Sequence, residues 1–218
     1  MLLHRIPLRA LRFGFHLFYN PFAFTYDFVS AFVSRGRWRA WTRAAITRLQ
    51  GARILEVPCG TGNLLLDLRA AGYAPVGVDL SASMLRITRG KLRGAGVLHL
   101  IRARAQALPF PNGAFDSIVM TFPPGFISDP AVVAELRRAL DDRGRLIWVD
   151  AARFIKPSLW SRFVNPWIGF GGDETAYELQ MAHALERAGF DAQIEWVGDD
   201  ESVVAVAVGT KTGARSSA

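Results

Sequence analysis

"RILEVPCGTGNLLLDLRAAGYAPVGVDLS", Arg53 to Ser81, decides how the chain folds. A strand-like run, RILEV, ends in a glycine-containing turn. A helix-like run follows, and a second strand-like run, PVGVD, closes on Asp79. The alternation continues downstream. Strands are expected at 53–57, 75–79, 97–102, 115–120 and 144–150, with helices at 61–71, 81–94 and 130–140. Strands separated by helices predict a parallel sheet with helices on both faces. After residue 172, "DETAYELQMAHALERAG" predicts a helix capped by Gly189. Strands at 191–198 and 202–209 follow, joined by "GDDE", a link so short that they must pair antiparallel. The expected architecture is α/β: a Rossmann-like three-layer sandwich on a mostly parallel seven-stranded sheet, with one antiparallel strand near the C-terminus, at the sheet's end.

Composition limits what the chain does. The 218 residues are 50% hydrophobic, enough for one domain with a sizeable core and an appendage. The net charge is +7, and its location is informative. Residues 1–50 hold eight arginines against one acid, Asp27, which accounts for the whole excess. A basic segment suits nucleic acid, anionic lipid or an acidic partner. The single cysteine, Cys59, allows no intrachain disulfide and no cysteine-based zinc site, so no metal is expected and a reducing cytoplasm is the expected location. The arginine-rich start does not read as a cleaved signal peptide. The longest uncharged run, Phe13 to Tyr26, has 14 residues, short of the ~20 a spanning helix needs.

The turn after the first strand of such a sheet lies where ligands bind, outside the carboxyl ends of the strands. Gly60 and Gly62 let backbone approach a ligand without an intervening Cβ. Pro58 has φ fixed near −65° and cannot supply a positive φ, so the two glycines must carry the turn. Asp79, after the second strand, suits the two hydroxyl donors of a ribose. Taken singly, the glycines suit any tight turn and Asp79 any helix cap; in this order they suit an adenosine-type ligand. The stretch Glu56-Val57-Pro58-Cys59-Gly60-Thr61-Gly62 lacks the G-x-G-x-x-G spacing of dinucleotide sites, and no lysine follows as in a phosphate loop.

These residues resemble the class I S-adenosylmethionine-dependent methyltransferases, whose first motif is an acid followed by x-G-x-G-x-G. Here it reads E-V-P-C-G-T-G, with Pro58 in place of the first glycine. The resemblance covers about residues 53–209. It implies S-adenosylmethionine as cofactor, with Glu56 at its methionine end, Gly60 and Gly62 lining it, and Asp79 on the ribose. Leu80 and Met84 would pack on adenine. "ARAQALPFPNGAFDSIVM" resembles the stretch D-A-x-x-L-P-F then F-D, with Arg104 replacing the acid near adenine and Ala105 offering its backbone N–H. Pro58, Thr61, Thr121 and Phe122 complete the expected cofactor wall. The sulfonium already activates the methyl group, so the protein mainly orients and desolvates, and no catalytic triad is needed. Cys59 is read as a small buried filler.

In the arm, Leu8, Leu11, Phe15, Phe18 and Phe22 recur at three and four, with Arg5, Arg9, Arg12 and His16 on another face. This suits an amphipathic basic helix in a membrane interface, broken or kinked at Asn20-Pro21; a lid with solvated arginines suits the pattern equally. "YDFVSAFVSRGRWRAWTR", Tyr26 to Arg43, resembles the N-terminal motif of the quinone-biosynthesis C-methyltransferases, Y-D-x-x-N then S-x-G-x-H-R-x-W-K, with Trp38 replacing the histidine. Those enzymes methylate a prenylated ring. They also carry F-G-x-R-N after the fourth strand, where this chain has "TFPPGFISDP", with Gly125 and Phe126 in place of Arg-Asn. The insert 153–172 reads as a second interfacial surface, a substrate cover, or a loop packed over the sheet edge.

The expected organisation is a basic aromatic arm or lid, 1–48, a methyltransferase domain, 49–210, and a disordered tail, 211–218. Tyr19, Tyr26, Asp27, Phe126, Trp160 and Trp167 are the candidate lid and substrate residues. The expected activity is methyl transfer to a small, lipophilic or ring-containing acceptor, in the cytoplasm or peripheral to the inner face of the membrane through residues 1–32. Two alternatives stand beside it. One is a cofactor-binding or structural protein without catalysis. The other is a nucleic-acid methyltransferase, disfavoured because Phe122, before Pro123-Pro124, cannot accept a hydrogen bond from an exocyclic amine. His4, His16, His99 and His183 do not identify a general base.

Overall fold

A computed structural model describes residues 23–94, 99–123, 129–168 and 174–211, without the side chains of Trp167 and Glu174. Two short helices, α1 (Tyr26–Val33) and α2 (Trp38–Arg43), lead into the alternating part. There follow β1 (Ile54–Glu56), α3 (Asn63–Ala70), β2 (Val76–Asp79), α4 (Ala82–Lys91), β3 (His99–Arg102) and β4 (Phe115–Thr121). Next come α5 (Pro130–Ala139), β5 (Leu140–Phe154), α6 (Leu159–Ile168), α7 (Glu174–Arg187), β6 (Phe190–Gly198) and β7 (Ser202–Lys211). Local chemistry sets the helix starts. Ser81 caps α4 by accepting from the Met84 N–H at 3.2 Å, and Asp129 caps α5, which has Pro130 in its first turn.

The seven strands form one sheet in the order β3-β2-β1-β4-β5-β7-β6. All neighbours are parallel except β7, which runs antiparallel to both β5 and β6. The antiparallel strand is thus near the C-terminus, as expected, but it lies inside the sheet and not at its end. The reason lies in the two sequences. In β7, Val204, Ala205, Val206 and Ala207 are all buried, as an interior strand requires. In β6, Asp191, Gln193 and Glu195 alternate with apolar residues, which suits a half-exposed edge. The order reverses between β1 and β4, which opens a crevice at their carboxyl ends.

Two cores flank the sheet. One packs α5 and α7 residues such as Val132, Leu136, Met181 and Leu185 against Ile118, Met120 and Trp148. The other packs Trp41 of α2, Leu64 and Leu68 of α3 and Val164 of α6 against Val119, Ile147 and Val149. Three departures from the sequence expectation stand out. The insert 153–172 holds a helix, α6, that the reading missed, because Pro166 and dense aromatics obscure its period. Strand β5 runs far beyond 144–150, with an irregularity between Asp150 and Ala152 where Ala151 has φ 50°. Lys211, assigned to the tail, belongs to β7: it pairs with Phe190 and its ammonium donates to the Leu140 carbonyl at 2.6 Å. The amphipathic helix expected before Pro21 lies outside the described residues, as does the tail beyond Lys211.

The N-terminal helices are tied to the sheet by charge and by one buried indole. Arg37 pairs with Asp199 at 2.5 Å and with Glu201 in the β6–β7 turn. Trp41, 3% exposed, donates from Nε1 to Ser202 Oγ at 3.1 Å. Arg39 grips the buried Asp67 of α3 with three hydrogen bonds of 2.8–3.1 Å, and Arg48 pairs with Glu195 at 2.6 Å. Much of the basic excess read from the sequence is thus matched within the molecule.

A buried acid closes the far side of the sheet. Asp150 accepts from the Ala151 N–H at 2.9 Å and from Trp148 Nε1 at 3.2 Å, with the Tyr177 hydroxyl beside it. Burial pushes its pKa from 3.8 up to about 6 despite these donors. The folded state therefore holds a proton that the unfolded chain releases between pH 4 and 6. Stability should fall as pH rises through that window and stay lower above it, by about 3 kcal/mol for a shift of this size. Glu56 and Asp79, also raised, slope the same way. The Asp150 share is isolated by difference: urea unfolding of Asp150→Asn should show a pH slope flatter by that amount, and an unchanged slope would refute the assignment.

Candidate active site

At the β1/β4 crevice lies a cavity of about 500 Å³, walled by the carboxyl ends of four adjacent strands. Strand β1 supplies Glu56 and the turn Val57 to Thr61. Strand β2 supplies Asp79, Leu80 and Ser81; β3 supplies Arg102 to Gln106; β4 supplies Thr121 and Phe122. Tyr26 of α1 with Trp38 and Thr42 of α2 complete the wall, and Asn63 and Leu64 come from the start of α3.

The two glycines carry the turn, as Pro58 demands: Gly60 has φ 51° and Gly62 φ 80°. Their tasks differ. A Cβ on Gly60 would meet nothing within 4 Å, because this residue faces the cavity. A Cβ on Gly62 would lie 2.5 Å from Thr88 Cγ2, so Gly62 serves close packing of α3 on α4 and is not on the wall. The turn is held to the next strand by Asp79, whose carboxylate accepts from the Gly60 N–H at 2.9 Å and the Ser81 N–H at 2.7 Å. Burial raises the pKa of Asp79, and those backbone donors partly oppose it.

Glu56 is 2% exposed, and its Oε2 has no hydrogen-bond partner. Burial, then the charges of Asp79 and Asp67, push its pKa well above the ordinary carboxylate range, against one backbone N–H from Leu65. A buried acid with an unsatisfied oxygen on a cavity wall suits a cationic ligand group. The cofactor read from the sequence carries such a group, together with a ribose that suits Asp79, so the residues present fit it.

Asp27 latches α1 over this site. Its carboxylate accepts from Thr61 Oγ1 at 2.6 Å and Asn63 Nδ2 at 2.9 Å, and pairs with Lys91 at 2.5 Å. Burial alone would raise its pKa, but Lys91, Thr61 and Asn63 more than offset that and hold it low. Above Thr121 the wall is aromatic. Trp38 stacks on Phe122 with centroids 4.1 Å apart, Trp41 lies behind both, and Tyr26 meets Trp38 edge-on at 6.3 Å. Phe122 adopts φ 44°, a conformation that costs a non-glycine residue of order 1–3 kcal/mol and clusters at functional sites.

Of the expected cofactor residues, Glu56, Pro58, Gly60, Thr61, Asp79, Leu80, Arg104, Ala105, Thr121 and Phe122 are on the wall. Gly62 and Met84 are not; Met84 is 1% exposed within the core. Of the lid residues, Tyr26 lines the cavity and Asp27 latches beside it. Trp160 is off the wall and supports α1 through an edge contact with Phe32 at 5.1 Å. Tyr19, Phe126 and the Trp167 side chain lie outside the described residues. The sequence reading missed Thr42, Asn63, Arg102 and Gln106, and it noted Trp38 only as a replacement. Arg102 and Gln106 were findable, since every strand's carboxyl end feeds the crevice; Trp38 and Thr42 share a helix face only once α2 is placed. Cys59, 4% exposed, packs with Leu65, Leu85 and Leu92 and also borders the cavity.

Comparison with known proteins agrees with this geometry. Residues 54–144 match the family model described as "Methyltransferase domain". The chain is 30% identical over 222 residues to a Burkholderia vietnamiensis protein named ubiquinone/menaquinone biosynthesis C-methyltransferase UbiE, covering 88% of this chain and 90% of that one. It is 34% identical over 158 residues to a Symbiobacterium thermophilum demethylmenaquinone methyltransferase, covering 67% and 61%. Among solved structures, a SAM-dependent methyltransferase from Thermotoga maritima superposes with a TM-score of 0.62 at 21% identity, over 90% of this chain and 99% of that one. A Haemonchus contortus phosphoethanolamine N-methyltransferase bound to S-adenosylhomocysteine gives 0.59 at 15% identity, over 82% of this chain and 53% of that one.

The two glycines should separate on substitution. Gly60→Ala should cost about 1 kcal/mol of stability, from its left-handed backbone, yet weaken binding of S-adenosylhomocysteine at least about tenfold. Gly62→Ala should cost more stability than Gly60→Ala, because strain and a clash add. Chemical denaturation and calorimetry read the two effects, and the opposite ranking would refute the division. Asp79→Ala removes a charged acceptor worth ~1.5–3 kcal/mol per hydrogen bond and should weaken binding at least about tenfold; undiminished affinity would remove Asp79 from the site.

Proposed function

Because this chain belongs to the class I S-adenosylmethionine-dependent methyltransferases, in the family of the ubiquinone/menaquinone biosynthesis C-methyltransferases, we propose that it transfers the methyl group to a small, lipophilic, ring-containing acceptor. The observation that carries this reading is the aromatic wall of Tyr26, Trp38 and Phe122 at the β4 side of the cavity. Flat apolar groups pack well on such rings, and the wall excludes water.

S-adenosylmethionine supplies a methyl group already activated by its sulfonium. The chain's own residues bind and orient. Asp79, fixed by the Gly60 and Ser81 amides, would accept from ribose hydroxyls. Glu56 would meet the amino group of the methionine end, and Leu80, 55% exposed on the wall, would cover the adenine. Arg104 and Ala105, on the same wall, would border that end. Trp38 and Phe122 wall off the acceptor side, where a dry site strengthens the electrostatics of an in-line displacement. Thr42 and Thr121 are the uncharged polar groups beside them.

A membrane surface fits as the place where such an acceptor is met. Phe24, Phe28 and Phe32 around α1 are 60–73% exposed, and Leu159 and Phe163 of α6 are 87% and 68% exposed. The Phe32–Trp160 contact joins the two elements. No helix among the described residues is long and apolar enough to cross a membrane; the contact proposed is peripheral, at the cytoplasmic face. Arg37, Arg39, Arg43 and Arg48 are paired with acids of the domain; the remaining arginines of the arm's sequence are Arg5, Arg9, Arg12 and Arg35.

Incubation with methyl-labelled S-adenosylmethionine and a bacterial lipid extract should place label in a ring-containing lipid of the organic phase. Label appearing only in water-soluble amines or in nucleic acid would overturn the acceptor class. Trp38→Ala should raise the KM for that acceptor at least about tenfold while cofactor affinity stays within about twofold. Co-sedimentation with anionic vesicles should fall partly with salt, which screens the arginines but not apolar burial. Phe28→Asp with Phe163→Asp should remove the salt-resistant part; if it persists, the exposed face is not the contact.

A further inference from the structure

Glu56 is a buried acid that the fold leaves without a counter-charge. Asp79 of β2 and Asp67 of α3 face it with like charge, and Cys59 of the turn faces it with a thiol that burial keeps protonated. Thr42 of α2 and Thr121 of β4 share its cavity without charge. Four nearby cations are committed elsewhere, and Arg104, which lines the same cavity, makes no ion pair with Glu56 among the described residues. Arg39 holds Asp67 with three hydrogen bonds, Arg43 lies 3.8 Å from the same carboxylate, and Lys91 pairs with Asp27. Arg102 donates to the Leu80 carbonyl at 2.9 Å. Among the described residues, no lysine or arginine pairs with Glu56 or Asp79.

A carboxylate in so dry a place, beside like charges and with Oε2 unpartnered, takes up a proton sooner than it bears an uncompensated charge. We propose that Glu56 is a proton-linked positioning residue: it is a neutral acid while the cavity lacks a cation, and it gives up its proton as the cofactor's ammonium group binds. The carboxylic O–H bond breaks, the proton passes to solvent, and the resulting carboxylate pairs with the ammonium; nothing is oxidised or reduced. The acid thus spares the protein the cost of a buried unpaired charge and becomes a counter-ion when a cation arrives. The upward pKa shift from burial and from Asp79 agrees with this. The inference rests on the reading that Glu56 faces the amino-acid end of the cofactor.

Calorimetric titration of S-adenosylhomocysteine, which cannot turn over, into the full chain tests it. At each pH from 5.5 to 7.5, buffers of different ionisation enthalpy are compared. The observed heat should vary with buffer, reporting release of up to one proton. Affinity should rise with pH by up to about tenfold per unit while Glu56 is protonated. Glu56→Gln should bind more weakly, with buffer-independent heat and no pH slope. Asp79→Asn should bind more weakly yet still release the proton. On wild-type protein, infrared difference spectra should lose the carbonyl band of a buried carboxylic acid on binding, a readout that does not depend on any variant folding. Clear binding with buffer-independent heat, or proton release that persists in Glu56→Gln, would overturn the proposal. No binding by the folded wild type would overturn the cofactor reading itself, and the proposal with it.

Discussion

The Asp79 carboxylate, bound to the Gly60 and Ser81 amides, is the interaction on which the site depends. One side chain joins the turn after β1 to the turn after β2, so two strands present their ends as one surface. The joint is strong because backbone donors are fixed in direction and the acceptor is charged. It holds the turn in which Gly60 has φ 51°, and a glycine there leaves the cavity floor without a Cβ. Thr88 braces the same turn from α4, through its hydroxyl to the Gly60 carbonyl at 2.8 Å. Gly62 is spent on letting Thr88 come close.

The N-terminal helices complete the cavity through a different kind of force. Two anchors do most of the holding. Trp41 buries its indole between Phe122 and Phe154 and satisfies its N–H on Ser202. Arg39 neutralises Asp67, which is only 5% exposed and would otherwise be a costly buried charge. The exposed pairs of Arg37 with the β6–β7 turn add direction more than energy. Asp27 then aligns α1 with the start of α3, where Thr61 and Asn63 already belong to the cavity rim. The roof is therefore positioned by the same turn that forms the floor.

The charge distribution read from the sequence changes meaning once these contacts are in view. An excess of seven positive charges in residues 1–50 suggested a patch for an external anion. In the folded chain, four of those arginines answer acids on α3, β6 and the β6–β7 turn. Apolar exposure, not net charge, is what the described part of the arm presents outward, through Phe24, Phe28 and Phe32.

The sequence by itself determined the layered α/β fold, the turn at Pro58 to Gly62 and the placing of Glu56, Gly60 and Asp79 at one crevice. These follow from local rules: hydrophobic period, turn chemistry and the fact that parallel strands deliver their carboxyl ends to the same edge. Only the tertiary structure decided that β7 lies inside the sheet, that α6 is a helix despite Pro166, that Gly62 and Met84 belong to packing, and that Trp38 stacks with Phe122 on the cavity wall. Each of these depends on which residues meet across long separations in the chain. Trp38 and Phe122 are far apart in sequence and 4.1 Å apart in space, and no local pattern encodes that distance.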